Sequence, residues 1–216
     1  KGVQKQFYAE KGIPTADFTV YTEKYELTIY EMGLCTTNPI TGSTGSLVYD
    51  KTNCTPTMTM AGGKTVDLAG SSVASLPAGS KPPSASYNYA YILISNKFTL
   101  KGSYTLDNGD TYYSTPETDP NWGEYGKADK TIAAALEHNE TLDDLGFGAS
   151  WSGEMSAQSM SGGGKVAEIL LQSDGETKAT GRANVSKLLG AFETNSGSPV
   201  VITDETKGLE VTLKVT

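Results

Sequence analysis

The sequence predicts an all-β fold, an antiparallel β-sandwich of immunoglobulin-like or jelly-roll-like type with one or two short helical insertions. Three observations carry that expectation. Apolar and polar residues alternate with period two through most of the chain, as in Tyr25-Glu26-Leu27-Thr28-Ile29, which is the pattern of a strand buried on one face. Turn formers recur at short intervals, with 24 glycines and 9 prolines in 216 residues, so the elements between them are short and suited to antiparallel packing. Helical signals are confined to two brief segments.

The elements follow in chain order. Residues 1–13, KGVQKQFYAEKGI, precede the first clear strand and read as an N-terminal extension. Within it Val3, Lys5 and Phe7 alternate along one edge. The first strand covers 25–29. Met58 and Met60 alternate with threonines, and Val66 and Leu68 follow. Tyr87, Tyr89, Tyr91 and Leu93 then line one face, with Ala90, Ile92 and Ile94 on the other. Two apolar faces mark a central strand. Phe98, Leu100, Gly102, Tyr104 and Leu106 alternate into Asp107-Asn108-Gly109-Asp110 and back through Thr111-Tyr112-Tyr113. Asn-Gly between strand residues predicts a two-residue hairpin turn with positive φ at both central positions.

Residues 114–126 read as loop. DKTIAAALE, 129–137, reads as a short helix, and Thr141–Gly146 as one helical turn with Thr141 as N-cap and Gly146 beyond the end. Residues 152–164, SGEMSAQSMSGGG, are flexible by composition. Three strands close the chain, at 165–172, 199–203 and 209–216, and 180–194 fits either a strand or a short helix. The organisation expected is the extension 1–13, a candidate donor strand, followed by a single sandwich domain over 14–216 with an inserted loop and helix region at 114–164. No solenoid-length repeat is present.

Bulk properties bound the function. The formal charge is −8 and the pI about 4.7, which argues against nucleic acid as a partner, since binding to a polyphosphate needs a basic face. Arg182 is the only arginine, so bidentate clamps on phosphate are nearly excluded. No apolar run approaches the roughly 18 residues of a membrane helix. The chain opens Lys-Gly-Val-Gln, which is expected of a mature chain after removal of a signal peptide.

Cys35 and Cys54 are the only cysteines and bound a loop rich in Thr, Ser, Gly and Asn. That arrangement predicts a disulfide in an oxidising compartment, hence an extracellular or cell-surface location. Closing the 18 intervening residues would contribute about 3 kcal/mol by restricting the unfolded chain.

Candidate chemistry is sparse. His138 is the only histidine and no GxSxG elbow accompanies it; at the end of the expected helix it complements the dipole. Too few His and Cys remain for a zinc site. The acids Asp107, Asp110, Asp143, Asp144, Asp204 and Glu205 read as solvated turn residues, although a pair of them would suit glycoside hydrolysis. LDNGD lacks the length and terminal Glu of an EF-hand loop. Gly162-Gly163-Gly164 opens no helix and is no phosphate cradle. Trp122 and Trp151 belong to packing or to a sugar-stacking platform. Asn53, Asn139 and Asn184 stand in N-x-S/T sequons and are the candidate glycosylation sites. No catalytic residue, cofactor or metal is expected, and the chain is not expected to be an enzyme.

Lys64-Thr-Val-Asp-Leu-Ala69, Ser75-Leu-Pro-Ala-Gly79 and Tyr87-Asn-Tyr-Ala-Tyr-Ile-Leu-Ile-Ser95 together give the first half of the chain a familiar look. It resembles secreted bacterial surface domains of unknown function with an immunoglobulin- or transthyretin-like sandwich. In those, an early strand ends in a variable loop, a VDL segment follows and an LPAG turn leads into a core strand. Here Ser80–Ser86 separates LPAG from the tyrosine strand, so the turn differs. The resemblance implies an extracellular, non-enzymatic role and carries no catalytic residues.

In style the chain is also similar to donor-strand filament subunits such as those of chaperone–usher pili: acidic, rich in Thr, Gly and Tyr, and disulfide-stapled. In such subunits a neighbour's extended terminus fills a missing strand. The expectation is therefore a surface filament or pilus-like subunit whose segment 1–12 adds to the next copy. Its partners would be copies of itself in a homopolymer, with surface glycans as a further class and neither nucleic acid nor a membrane span. The alternatives are a monomeric adhesin or carbohydrate-binding domain, using Trp122, Trp151 or the 107–125 loops, and a secreted hydrolase with a close carboxylate pair. A viral coat or tail subunit is a variant of the structural expectation.

Overall fold

The computed structural model describes residues 18–69, 76–77, 79–118, 126–146, 150–159 and 164–208. The chain is all-β, built of antiparallel sheets in an arrangement consistent with a β-sandwich. Among the described residues the only helical pieces are two 3-10 turns, Arg182–Asn184 and Thr194–Gly197. The chain divides into two compact units. One comprises Glu26–Phe98 with Thr141–Thr216, the other Lys1–Tyr25 with Thr99–Glu140. Two 18-residue strands, β1 (Phe18–Cys35) and β6 (Tyr89–Leu106), contribute residues to both.

The first unit holds nearly all of the buried apolar residues. Its main sheet contains β4 (Cys54–Asp67), β10 (Glu154–Ser159), β11 (Lys165–Leu171) and β12 (Lys187–Glu193), in the order β10–β11–β12–β6–β1–β4. Strand β6 is central, as its two apolar faces predict. One face packs Tyr91 and Leu93 of β6 against Leu189 and Ala191 of β12 and Ala167, Ile169 and Leu171 of β11. The opposite face meets a separate two-stranded sheet, β5 (Ala85–Tyr87) with β13 (Val200–Ile202), through Leu34, Tyr87 and Ile202. The run of four aligned tyrosine-strand residues is thus broken at Asn88. Tyr87 belongs to β5, because the chain turns there to bring β5 onto the sheet.

Strand β4 is irregular where residues 60–63 and Thr57 bulge out of the ladder with β1. Gly33 of β1 is there for space: a β-carbon at this position would strike the ring of Tyr91 and the carbonyl of Thr55. Segment 180–194, ambiguous in sequence, is a 3-10 turn followed by β12. Segment 152–164 was expected to be flexible. Glu154–Ser159 of it is a paired strand, because Glu154 and Met155 find register against Ile169 and Glu168.

The second unit joins the outer part of β6 to β7 (Thr111–Thr118), β8 (Gly126–Asp129) and β9 (His138–Thr141). The β6–β7 hairpin forms as expected, with Tyr104 and Tyr112 opposite each other and stacked at 5.1 Å. Its turn differs. Gly109 N–H donates to Leu106 O, Leu106 N–H donates to Asp110 O, and Gly109 has φ +86°. The loop is therefore three residues long, with the glycine in the left-handed position that closes it.

The segment 129–137 is not a helix. Asp129 Oδ1 accepts the Thr131 N–H and hydroxyl, a local turn that competes with the helix. Leu136 N–H is taken by Ser114 O, and His138 already belongs to β9. Nine residues with one buried side chain, Ala135, fall short of the length at which a helix sustains itself. Thr141–Gly146 is likewise not helical: Thr141 ends β9 and Asp144 Oδ1 accepts the Gly146 N–H. Within 114–126, residues up to Thr118 belong to β7. The expected strand 209–216 lies outside the described residues.

Candidate functional site

Cys35 and Cys54 are disulfide-bonded, with Cα atoms 4.0 Å apart. They are direct partners in the β1–β4 ladder, so the bridge staples two adjacent strands at the base of the loop. Cys35 is fully buried and belongs to the core. The loop is not the purely polar, outward decoration its composition suggests. It folds into a small hairpin, β2 (Ile40–Thr41) and β3 (Val48–Tyr49), and buries Pro39, Ile40 and Leu47 against the sheet face that carries Tyr91 and Ile169. Residues 36–53 thus form a flap that covers that face, with Val48 left exposed on its outer side.

The flap is held by polar clamps as well as by the disulfide. Toward β10, Leu47 N–H donates to Glu154 Oε2 at 3.0 Å, and Lys178 Nζ reaches both Leu47 O at 2.7 Å and Glu154 Oε1 at 2.6 Å. Ser156 N–H donates to Thr44 Oγ1. Burial would raise the Glu154 carboxyl, but its bonds from Lys178 and Leu47 outweigh that and hold it below the usual range.

Within the unit, Lys51 Nζ pairs with Glu31 Oε1 at 3.1 Å and Glu176 Oε1 at 2.9 Å. It also lies 5.6 Å from the ring centre of Tyr91 and 6.0 Å from that of Tyr49. Tyr91 Oη donates to Glu31 Oε1 at 2.6 Å. Burial opposes the charge on Lys51, yet its bonds to Glu176 and Glu31 prevail and raise its pKa. Burial, and then the bond to Glu31, pushes the Tyr91 phenol well up. Burial pushes Tyr49 up to about 12, and its hydroxyl has no hydrogen-bond partner among the described residues. The group is a lock of one ammonium between two carboxylates that ties together the flap, β1, β6 and the 172–178 turn. Nothing in the local sequence announces it, since residues 31, 51, 91 and 176 meet only through the fold.

The other sequence-predicted positions are dispersed. Val3, Lys5 and Phe7 lie outside the described residues, as does Trp122. Asn53 and Asn139 are exposed, and Asn139 Oδ1 accepts the Thr99 hydroxyl. Asn184 is half-buried and spends its amide on Thr180, as acceptor from the N–H and donor to the hydroxyl.

His138 is buried in β9, not exposed at a helix end. Its Nδ1 faces Thr115 O at 3.1 Å and its Nε2 faces Glu140 Oε2 at 3.1 Å. Both partners, a carbonyl and a carboxylate, are hydrogen-bond acceptors. Trp151 donates its Nε1–H to Asp143 O and folds over Gly153, which makes it a packing residue. Asp143 and Asp144 are held by the Arg182 guanidinium at 3.1 and 2.6 Å, and Asp110 by Lys130. Glu168, on β11, is raised by burial alone. Among the described residues no His, Cys, Asp and Glu group has the arrangement of a metal site, and no helix is long and apolar enough to cross a membrane.

No protein family, curated protein or solved structure matches the chain.

Proposed function

We propose that the chain is an extracellular structural protein, a subunit of a cell-surface filament or pilus-like polymer in which residues 1–12 of one copy add as a strand to the next, and not an enzyme. The observation that carries this reading is the open main sheet. Among the described residues its order ends at β10 on one side and β4 on the other, and an unclosed edge is a template for pairing with another chain. The two edges are unequal. Pro56, the bulges and Ser80, whose N–H bonds Thr57 O, blunt β4. Strand β10 is covered at Ser156 by Thr44.

The internal disulfide is compatible with an oxidising, extracellular setting. The clamped flap gives the sheet the rigidity that a load-bearing subunit needs. A head-to-tail contact of this kind does not close and so propagates.

Negative-stain electron microscopy with light scattering on size-exclusion chromatography tests the reading. Uniform filaments are expected from the full chain, and monomers from a chain lacking residues 1–12. Filaments from the truncated chain would remove the N-terminal donor. A monodisperse particle of the 22.8 kDa chain mass would remove the polymer and favour the second reading, a monomeric surface adhesin or carbohydrate-binding domain. That alternative draws its support from an open groove on the sheet.

A further inference from the structure

At the ends of β6, β12 and β11 the ladder places Tyr89 opposite Glu193 and Val166 opposite Phe192. One step further in the same register sets Lys165 beside Glu193. Tyr89, Glu193 and Lys165 thus form a row across three adjacent strands, on the face that carries Ala191 and Ala167. The two alanines leave a depression behind that row. The result is an open groove of about 230 Å³, with Asn38 from the base of the flap on its rim.

The rim groups are unspent. The Tyr89 hydroxyl, the Glu193 carboxylate and the Lys165 ammonium make no hydrogen bond or ion pair among the described residues. Asn38 uses Oδ1 for Ile40 N–H, and its two amide hydrogens have no partner among the described residues. Elsewhere in the unit several charged groups are committed: Lys51 to Glu31 and Glu176, Lys178 to Glu154, and Arg182 to Asp143 and Asp144.

We propose that this groove is a binding subsite for one uncharged pyranose ring of a saccharide. A ring with several hydroxyls needs donors and acceptors side by side, and the groove offers the Lys165 donor beside the Glu193 acceptor, with Asn38 also in its lining. It also favours an aromatic neighbour, and the half-buried Tyr89 lines the groove. An anion would meet Glu193 next to the single cation, on a chain of net charge −8. An apolar ligand would leave three polar rim groups desolvated and unpaired. The space suits one sugar ring and falls below the size of pockets for larger ligands.

Saturation-transfer difference NMR on the full chain, with glucose, galactose, mannose and N-acetylglucosamine as probes, reads binding whether the chain is monomeric or polymeric. At least one probe is expected to bind saturably with Kd on the order of 1 mM. Glu193→Gln and Lys165→Gln, both at rim positions, should each weaken that binding by about tenfold, the loss of one charge-assisted hydrogen bond. Unchanged far-UV circular dichroism would show that the variants fold. No transfer to any probe overturns the proposal. So does binding that neither substitution weakens, and so does binding of free glycine at this rim in place of the sugars.

Discussion

Lys51 illustrates how a single side chain here serves several elements at once. Its side chain is about four-fifths covered, as is that of Glu31, which it meets, so each charge would be costly without the other. Replacing Glu31 by Gln leaves Lys51 with only the exposed Glu176 and leaves Tyr91 with a weaker acceptor. The expected loss is about 2 kcal/mol, below the roughly 3–5 kcal/mol of a fully buried pair because both groups retain some water contact. Urea denaturation of Glu31→Gln measures it, and adding Lys51→Met should recover part of the loss.

Tyr49 contributes to the alkaline limit at the same place, beside Tyr91 and Lys51, which are raised as well. Its phenol is raised by burial from 10.0 to about 12 in the folded chain. Between those values the unfolded chain releases a proton that the folded chain keeps, so stability is intact below pH about 10 and declines as pH rises toward about 12. Denaturation midpoints across that window check the sign, and Tyr49→Phe should flatten the decline. The cysteines of this site were legible in sequence because only two exist and a turn-rich loop lies between them. The Lys51 lock was not, because its members lie far apart in the chain and each looks like an ordinary surface residue.

At the scale of elements, the flap is the feature whose role differs most from its composition. Its Thr, Ser and Gly content reads as solvent-facing loop, yet Ile40 and Leu47 are core residues, and only their burial opposite β11 and β12 reveals it. Removing the bridge with the double substitution Cys35→Ala and Cys54→Ala should cost about 3 kcal/mol, as for a loop of this length. The Leu47 amide, protected by Glu154, should then exchange its hydrogen faster than amides of β12.

Strand alternation was legible wherever one face is buried, as in β6 and β11. The helical expectation at 129–137 failed because propensity in a nine-residue segment yields to Asx turns and to pairing of His138 with β6. The hairpin was legible from Asn108-Gly109, but the loop adopts the three-residue form. Gly109 stands in open space with φ +86°, so Gly109→Ala should cost about 1–2 kcal/mol from backbone strain alone. A thermal melt that left the midpoint unchanged would show the turn relaxing to another form.

The two units differ in what holds them, and this bears on the whole molecule. The unit of Glu26–Phe98 with Thr141–Thr216 contains Ile29, Tyr91, Ile169, Leu170, Leu171 and Leu189, all essentially inaccessible to water, together with the disulfide and the clamps around the flap. In the other unit the described residues bury one apolar side chain, Ala135, along with Thr115 and His138. Its β6–β7 ladder relies on half-buried pairs, Tyr104 on Tyr112 and Thr105 with Thr111. Apolar burial is the main source of stability, and cross-strand pairs add only about 0.2–1 kcal/mol each. Opening should therefore proceed unit by unit rather than in one step.

Hydrogen exchange read by mass spectrometry is expected to show β7 and β8 exchanging at a denaturant concentration where β11 and β12 remain protected. Coincident exchange of all four strands would mean that the long strands β1 and β6 couple the units into a single cooperative body. A chain built this way would keep its disulfide-braced sheet intact while the hairpin unit opens. In a polymer, the same experiment on assembled material should then raise protection in whichever unit receives the neighbouring strand, which identifies the acceptor edge directly.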